Sequence, residues 1–444
     1  MKPLLLHPTD VLFFRDGRPM SGSLSGHGAA WPLPHVISHA FHAALHRADV
    51  ENVHTHRVGR SGKYGDVRER KFGSLTTAGP FPVCTHGRAH TWFFPRPLDA
   101  IDRDGAPCIV SQPLMRSPGT SSLPSPLQYP VAATVPPDKS EPCRWWSEGA
   151  WNACLGSPQR DDAAARPLFK KDTDFAATEH NCGIALDAAT GSVIDGMFYS
   201  ASYLRLKNGW RLGITANAPD KTFRNADGSD DLITTLLDPG SGSILVGGQQ
   251  RICSVTVDDS ITDRLPLPLG RSAGFEACEG RHLVKWVLLT PALFPRIGAH
   301  PGGWLPSWID CETGAVQLLD GPGKNAARRH KVAEGKPIDA RLVAALTGKS
   351  IPVTGWALPN GSDRPEGGAK STHLAVPAGS VYYFECADES AAIKLATALN
   401  WHGSPVISNF ESQISNRRST LMGEKGFGLG VCGTWTFHQA TAAS

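Results

Sequence analysis

Apolar and polar positions change period along this chain, and each change marks an element. Near the start, Val11, Leu12, Phe13 and Phe14 form a continuous apolar run that reads as a strand. A polar loop follows. In residues 34–48, Ile37, Ala40, Phe41 and Ala44 then recur at helical spacing, which predicts a helix. The C-terminal part is more legible. Val284, Trp286 and Leu288 alternate within residues 282–290, as in a strand. Residues 338–347 read as a helix with Leu342, Ala345 and Leu346 on one face, and residues 351–356 read as a short strand. A Pro377-Ala378-Gly379 turn leads to the strand Val381-Tyr382-Tyr383-Phe384. Asp388 opens a helix on which Ala392, Leu395, Ala396 and Leu399 share a face, and residues 429–435 give a last strand. The resulting order, β-α-β-β-α-β, is that of the ferredoxin-like unit, an antiparallel sheet with two helices on one face and the architecture of RNA-recognition modules. The N-terminal part starts the same way before long inserts interrupt the pattern. The expected fold class is α+β.

Composition adds domain count and compartment. At roughly 100–200 residues per domain, 444 residues predict two or three domains, and 41% apolar content is enough to fill their cores. The 46 glycines and 35 prolines exclude a helical bundle. Eight prolines between Pro113 and Pro142 make residues 111–142 an extended insertion, because each removes a backbone donor and restricts its predecessor. The formal charge of +3 is too small to attract nucleic acid through the field of the whole molecule, so any such contact must be local. The Leu4-Leu5-Leu6 run is too short for a signal peptide, and no apolar stretch is long enough to span a bilayer. A cytoplasmic protein with no membrane contact is expected. The ten cysteines include no Cys-x-x-Cys pair, so they read as reduced thiols.

Candidate chemistry lies in the loops. Arg15-Asp16-Gly17-Arg18-Pro19 can pair one arginine with Asp16 and leave the other for a phosphate. The segment 54–71 is glycine-spaced and basic (Arg57, Arg60, Lys63, Arg68, Arg70, Lys71), a composition suited to phosphate contacts. Gly247-Gly248 precedes Gln249-Gln250-Arg251 in a turn that allows close backbone approach. In the run 423–430, Gly426 and Gly428 can expose backbone N–H groups toward phosphate, Lys425 can neutralise charge and Phe427 can stack on a base. Each of these also reads as an ordinary turn. Gly348-Lys349-Ser350 lacks the first glycine and the strand-to-helix order of a phosphate loop. His35, His39, His42 and His46 share the polar face of the first helix. With no carboxylate beside them they read as a solvent- or partner-facing stripe. Metal ligation or metal-free RNA cleavage are the alternatives.

Taken together, these segments resemble the RAMP superfamily of CRISPR-associated proteins, and within it the third-subunit family of the type III-B (Cmr) effector complex. The resemblance rests on Phe13-Phe14-Arg15-Asp16-Gly17-Arg18-Pro19-Met20 and on Pro32 and Pro34 opening the first helix. It continues through Gly79-Pro80-Phe81, Phe94-Pro95-Arg96-Pro97-Leu98-Asp99 and Gly183-Ile184-Ala185-Leu186-Asp187. Gly247-Gly248, Thr290-Pro291-Ala292-Leu293-Phe294, Gly379-Ser380-Val381-Tyr382-Tyr383-Phe384 and Lys425-Gly426-Phe427-Gly428-Leu429-Gly430 complete it, in the family's order. It implies two ferredoxin-like (RRM-like) domains, taken here as 1–277 and 278–444, with long inserts and a C-terminal glycine-rich loop. It further implies a non-catalytic subunit, without cofactor or metal, that binds the 5′ tag of the crRNA guide. Its protein partners would be the large polymerase/cyclase-like subunit and the adjacent backbone RAMP subunit. The chain departs from the family pattern at Gln249 and Gln250, where an acidic and a basic residue are usual. The RNA face is then expected at Arg15, Arg18, Arg57, Arg60, Lys63, Lys71, Gly247, Gly248, Arg251, Lys425, Gly426, Phe427 and Gly428. A metal-independent RAMP endoribonuclease that processes CRISPR transcripts with a helix histidine is the competing expectation. A metal-binding histidine helix with no RNA role is a third.

Overall fold

A computed structural model describes residues 1–15, 25–26, 31–48, 75–115, 122–136, 141–156, 167–219, 231–238, 241–261, 264–320, 335–357, 367–403 and 420–438. The chain forms mostly antiparallel sheets with few helices among these residues. The larger sheet has eight strands, in the order Phe169–Lys170, Trp145–Ser147, Ala89–Pro95, Thr76–His86, Trp210–Asn217, Lys2–Pro8, Ile252–Val257 and Ser241–Leu245. Every pairing in it is antiparallel. The strand Lys2–Pro8 lies near its centre, and alternation divides its leucines between two cores. Leu4 and Leu6 join Ile37, Phe41, Ala44 and Leu45 of the helix Pro34–Arg47, whereas Leu5 faces the opposite side with Phe81, Val83 and Trp92.

The first strand is therefore Lys2–Pro8 and not the expected run at Val11. Within 11–14 only Leu12 makes a bridge, to Leu204, because Val11 and Phe13 pack on Ala201 and Tyr203 while Leu12 and Phe14 turn into the helix-side core. The run is apolar because it is buried from both sides.

The second sheet has four antiparallel strands, in the order Ala340–Leu346, Val381–Cys386, His282–Leu288 and Gly430–Gly433. The helix Glu389–Leu399 covers one face, and the Asp388 carboxylate caps it by accepting from Ala391 N at 2.7 Å. The helix expected at 338–347 is instead the strand Ala340–Leu346. Leu342 faces the Glu389–Leu399 helix and Val343 and Ala344 face the opposite core, so both sides of the strand are apolar and strict alternation is lost. A bulge between Leu342 and Ala344 blurs the period further. The short strand expected at 351–356 is Ile351–Val353, which pairs outside the main sheet with His373–Ala375. Residues 289–339 supply no helix among those described; Leu305, Trp308, Ile309 and Val316 from this connection fill the core where a first helix was expected.

The two sheets share a core. Leu5, Phe81, Val83, Trp92 and Phe94 from the first meet Leu283, Val287, Val343, Tyr383 and Val431 from the second, with Trp146, Trp151 and Trp401 at the seam. The order through the molecule is helix, sheet, sheet, helix. Across the seam Lys285 Nζ donates to Asp99 Oδ2 at 2.7 Å, with both side chains at most 2% exposed. The described part of the proline-rich insertion is extended, pairs Ser111–Pro113 with Val131–Ala133, and donates the N–H groups of Gln128 and Tyr129 to Val343 O. From the larger sheet's end a long hairpin, Ala176–Leu186 with Val193–Leu206, carries Ile184, Leu186, Val193 and Phe198 in exposed positions.

Removing one partner of a buried pair leaves the other charge uncompensated. Asp99→Ala is expected to cost roughly 3–5 kcal/mol in urea unfolding, whereas Asp99→Leu with Lys285→Met should be far milder.

Candidate functional site

Two clusters gather the described residues that the sequence singled out. The first surrounds the Gly247-Gly248 turn. Gly248 N donates to Phe13 O at 2.8 Å, and a Cβ at Gly247 (φ +76°) would come within 2.5 Å of that same oxygen, so only glycine fits. Gln249 and Gln250 follow with φ of 58° and 52°, left-handed backbone that costs side-chain-bearing residues energy. Gln249 is tied in place, its Oε1 accepting from Tyr203 Oη at 2.9 Å and from Arg251 Nη2 at 3.2 Å. The Arg251 guanidinium lies 5.2 Å from the Tyr203 ring centre, and Arg251 Nη1 is 3.6 Å from Asp10 Oδ2. Arg251 Nε is buried without an acceptor.

Asp10 accepts a second guanidinium, Arg205 Nη2 at 2.9 Å, and Arg205 also forks onto Glu179. The hydrogen bond from Arg205 holds the Asp10 carboxyl below the usual carboxylate range, with the Val11 backbone N–H adding to it. Arg15 is exposed and follows directly from Phe14, whose ring lies against Gly247. Of the expected RNA-face residues, Arg15, Gly247, Gly248 and Arg251 thus come together. Asp10, Tyr203 and Arg205 complete the cluster and were missed. Their one sequence signal is Tyr203 and Arg205 alternating on a strand, and nothing local joins them to Asp10.

The second cluster is the glycine-rich loop. A 3-10 turn at Gly423–Lys425 lays it on the strand Thr76–His86 and on the first helix. A Cβ at Gly426 (φ +88°) would stand 2.8 Å from Thr77 O, which makes this glycine a packing requirement. Phe427 is fully buried among Leu293, Val353 and Ala375 and stacks on His35, ring centres 5.9 Å apart and planes 15° apart. In place of the base that the sequence suggested, the ring therefore meets a histidine. Lys425 Nζ donates to His39 Nε2 at 3.1 Å. His35 and His39 of the histidine stripe thus face the glycine-rich loop. Burial, then the Lys425 ammonium, pushes His35 down to about 4. The same two causes push His39 to about 3, with the neighbouring histidines and Lys370 adding to them. Among the described residues no three His, Cys, Asp or Glu side chains group as metal ligands. Arg18, Arg57, Arg60, Lys63 and Lys71 lie outside the described residues.

Two outcomes follow from this cluster. Gly426→Ala should lose roughly 1–3 kcal/mol of stability by urea unfolding, from left-handed strain and the Thr77 clash. The unfolded chain protonates His35 and His39 near their ordinary 6.5, but the folded chain does so only near 4 and 3. Their contribution to stability is therefore whole above 6.5 and is lost as pH falls toward 4. Thermal melts across that window should show a shallower pH slope for His35→Gln/His39→Gln than for the wild type.

Comparison with known proteins places this chain in a family. The family described as CRISPR-associated protein (Cas_Cmr3) matches residues 4–435. No curated protein matches the chain. Among solved structures, a chain of Type III-B Cmr-beta bound to cognate target RNA is similar, with 16% identity, 86% of each chain covered and a TM-score of 0.40. The same assembly bound to target RNA and AMPPnP gives 16% identity, 86% coverage of each chain and a TM-score of 0.38. A chain of the Csm3-Csm4 subcomplex in the type III-A CRISPR-Cas interference complex gives 10% identity, 86% of this chain and 92% of that chain covered, and a TM-score of 0.30. With its matched region spanning nearly its full length, the chain belongs to the Cas_Cmr3 family of CRISPR-associated proteins.

Proposed function

We propose that this protein is a non-catalytic RNA-binding subunit of a type III-B CRISPR ribonucleoprotein. In this reading it holds the 5′ tag of the guide crRNA and docks the large polymerase/cyclase-like subunit and the adjacent backbone RAMP subunit. The family match carries the reading. The first cluster supports it with a backbone turn that only glycine can make, beside Arg251 and Arg205.

The scaffold is read as two ferredoxin-like units within residues 1–277 and 278–444. Thr76–His86, Trp210–Asn217, Lys2–Pro8 and Ile252–Val257 in the larger sheet, and the four strands of the second sheet, run second, third, first, fourth, the order of that unit. The second unit lacks the first helix among its described residues.

The processing-nuclease alternative needs a histidine able to hold and release a proton near neutral pH. His35 is stacked against Phe427 and His39 accepts from Lys425, and both have pKa values far below neutrality. The described geometry therefore counts against His35 and His39 in that role.

Gel-shift titration of the full chain, alone and with its large partner subunit, against end-labelled guide RNA with and without the 5′ tag tests the reading. Tag-dependent binding without cleavage is expected, weakened roughly tenfold by Arg251→Ala. Binding that ignores the tag would overturn the capping role, and cleavage lost on His39→Ala would establish the nuclease instead.

A further inference from the structure

A cleft of about 360 Å³ opens where the turn after the long hairpin passes the end of the first strand. His7, Asp10, Arg205, Lys207 and Arg211 supply its ionisable lining. The charges are unevenly matched. Asp10 is shared by Arg205 and Arg251, and Arg205 is matched again by Glu179, so this part of the wall is neutral within itself. Lys207 and Arg211 are different. Lys207 Nζ donates to Thr173 O at 2.5 Å and Arg211 Nη1 donates to Trp210 O at 2.8 Å, both uncharged acceptors. Among the described residues no carboxylate pairs with either.

Burial works against the charge of Arg211, and Arg211 adds to the burial that lowers the pKa of His7. Lys207 and Arg211 both line the cleft with only neutral acceptors, so an anion entering it would meet two cations that have no carboxylate partner among the described residues. The cleft also continues the first cluster, because Asp10 joins Arg205 on the cleft wall to Arg251 beside the Gly247-Gly248 turn.

We propose that this cleft is a phosphate subsite, in which Lys207 and Arg211 hold one backbone phosphate of the RNA strand that passes the Gly247-Gly248 turn. The assignment rests on the RNA-binding reading above and extends it to residues outside the expected RNA face. Lys207 offers a point charge and Arg211 a planar fork, a combination suited to a phosphodiester oxygen pair. The subsite reads charge and position and does not read base identity.

The test uses the full chain and tag-bearing guide RNA, with affinity measured between about 50 and 200 mM salt. Lys207→Gln/Arg211→Gln should bind roughly tenfold more weakly and lower the salt slope by about 0.7, the value for one single-strand phosphate. Arg211→Lys, which keeps the charge, should retain most of the slope. Lys394→Gln, on the distant helix where Lys394 pairs with Asp320, serves as the charge-removal control. Equal melting temperatures would exclude misfolding as the cause. In parallel, phenylglyoxal modification of Arg211 followed by peptide mass spectrometry should be blocked by the RNA. It should not be blocked by AMP or inorganic phosphate at the same phosphate concentration.

An unchanged affinity and slope in the double variant, with wild-type tag binding intact, would overturn the subsite and leave the RNA-binding reading standing. Protection by AMP or phosphate with no change in slope would reassign the cleft to a free nucleotide or small anion and equally overturn it. Failure of the wild type to bind the RNA at all, with or without the large partner subunit, would instead sink the function on which the proposal rests.

Discussion

The constraint on which the rest of the molecule depends is that both sheets are buried on both faces. The first has the Pro34–Arg47 helix on one side and the second sheet on the other; the second has the Glu389–Leu399 helix and the first sheet. An RNA-recognition module of the usual kind stacks bases on an open sheet face. Here the faces that meet between the sheets carry Phe81, Trp92, Val287 and Tyr383 in a common core, and none is available to a base. Polar chemistry is displaced to strand ends, turns and the hairpin edge, where the Gly247-Gly248 turn and the Lys207–Arg211 cleft lie. The Asp99–Lys285 pair belongs to the same constraint: it places two opposite charges inside an otherwise apolar seam, where each needs the other.

Electrostatics at the periphery follows from local matching more than from the small net charge. Glu179, Asp10, Arg205 and Arg251 form an alternating chain of charges at the hairpin base. Such a chain costs little in water, and an arginine in it reaches a ligand by giving up part of its carboxylate contact. The informative groups are the ones left over beside it, Lys207, Arg211 and Arg251 Nε.

How much of this the sequence carried depended on burial. The helices at Pro34–Arg47 and Glu389–Leu399 were legible because each has one apolar face and one polar face. Ala340–Leu346 and the run from Val11 to Phe14 were not, because burial from both sides removes the alternation that separates strand from helix. The site was legible where a local motif creates it, as at Gly247-Gly248. It was opaque where partners come from far apart in sequence, as Asp10 and Arg205 do. The glycine-rich loop teaches a related lesson. Glycines that let a backbone approach a phosphate also let it approach another strand, and the clash at Thr77 O shows that the second use applies to Gly426.

The position of the strand Lys2–Pro8 between Trp210–Asn217 and Ile252–Val257 also bears on how the chain is made. The strand is synthesised well before either neighbour, since Trp210–Asn217 begins about 200 residues after Pro8 and Ile252–Val257 lies further still. At roughly 5–20 residues per second that delay is on the order of tens of seconds. Throughout it, the strand has neither of its hydrogen-bonding neighbours, and its leucines can meet only those core partners made earlier, such as Ile37 and Phe41. Pairings of such long sequence separation close slowly even once all strands are present. Nascent chains of this protein are therefore expected to spend much of their synthesis as clients of whatever shields apolar segments at the ribosome exit.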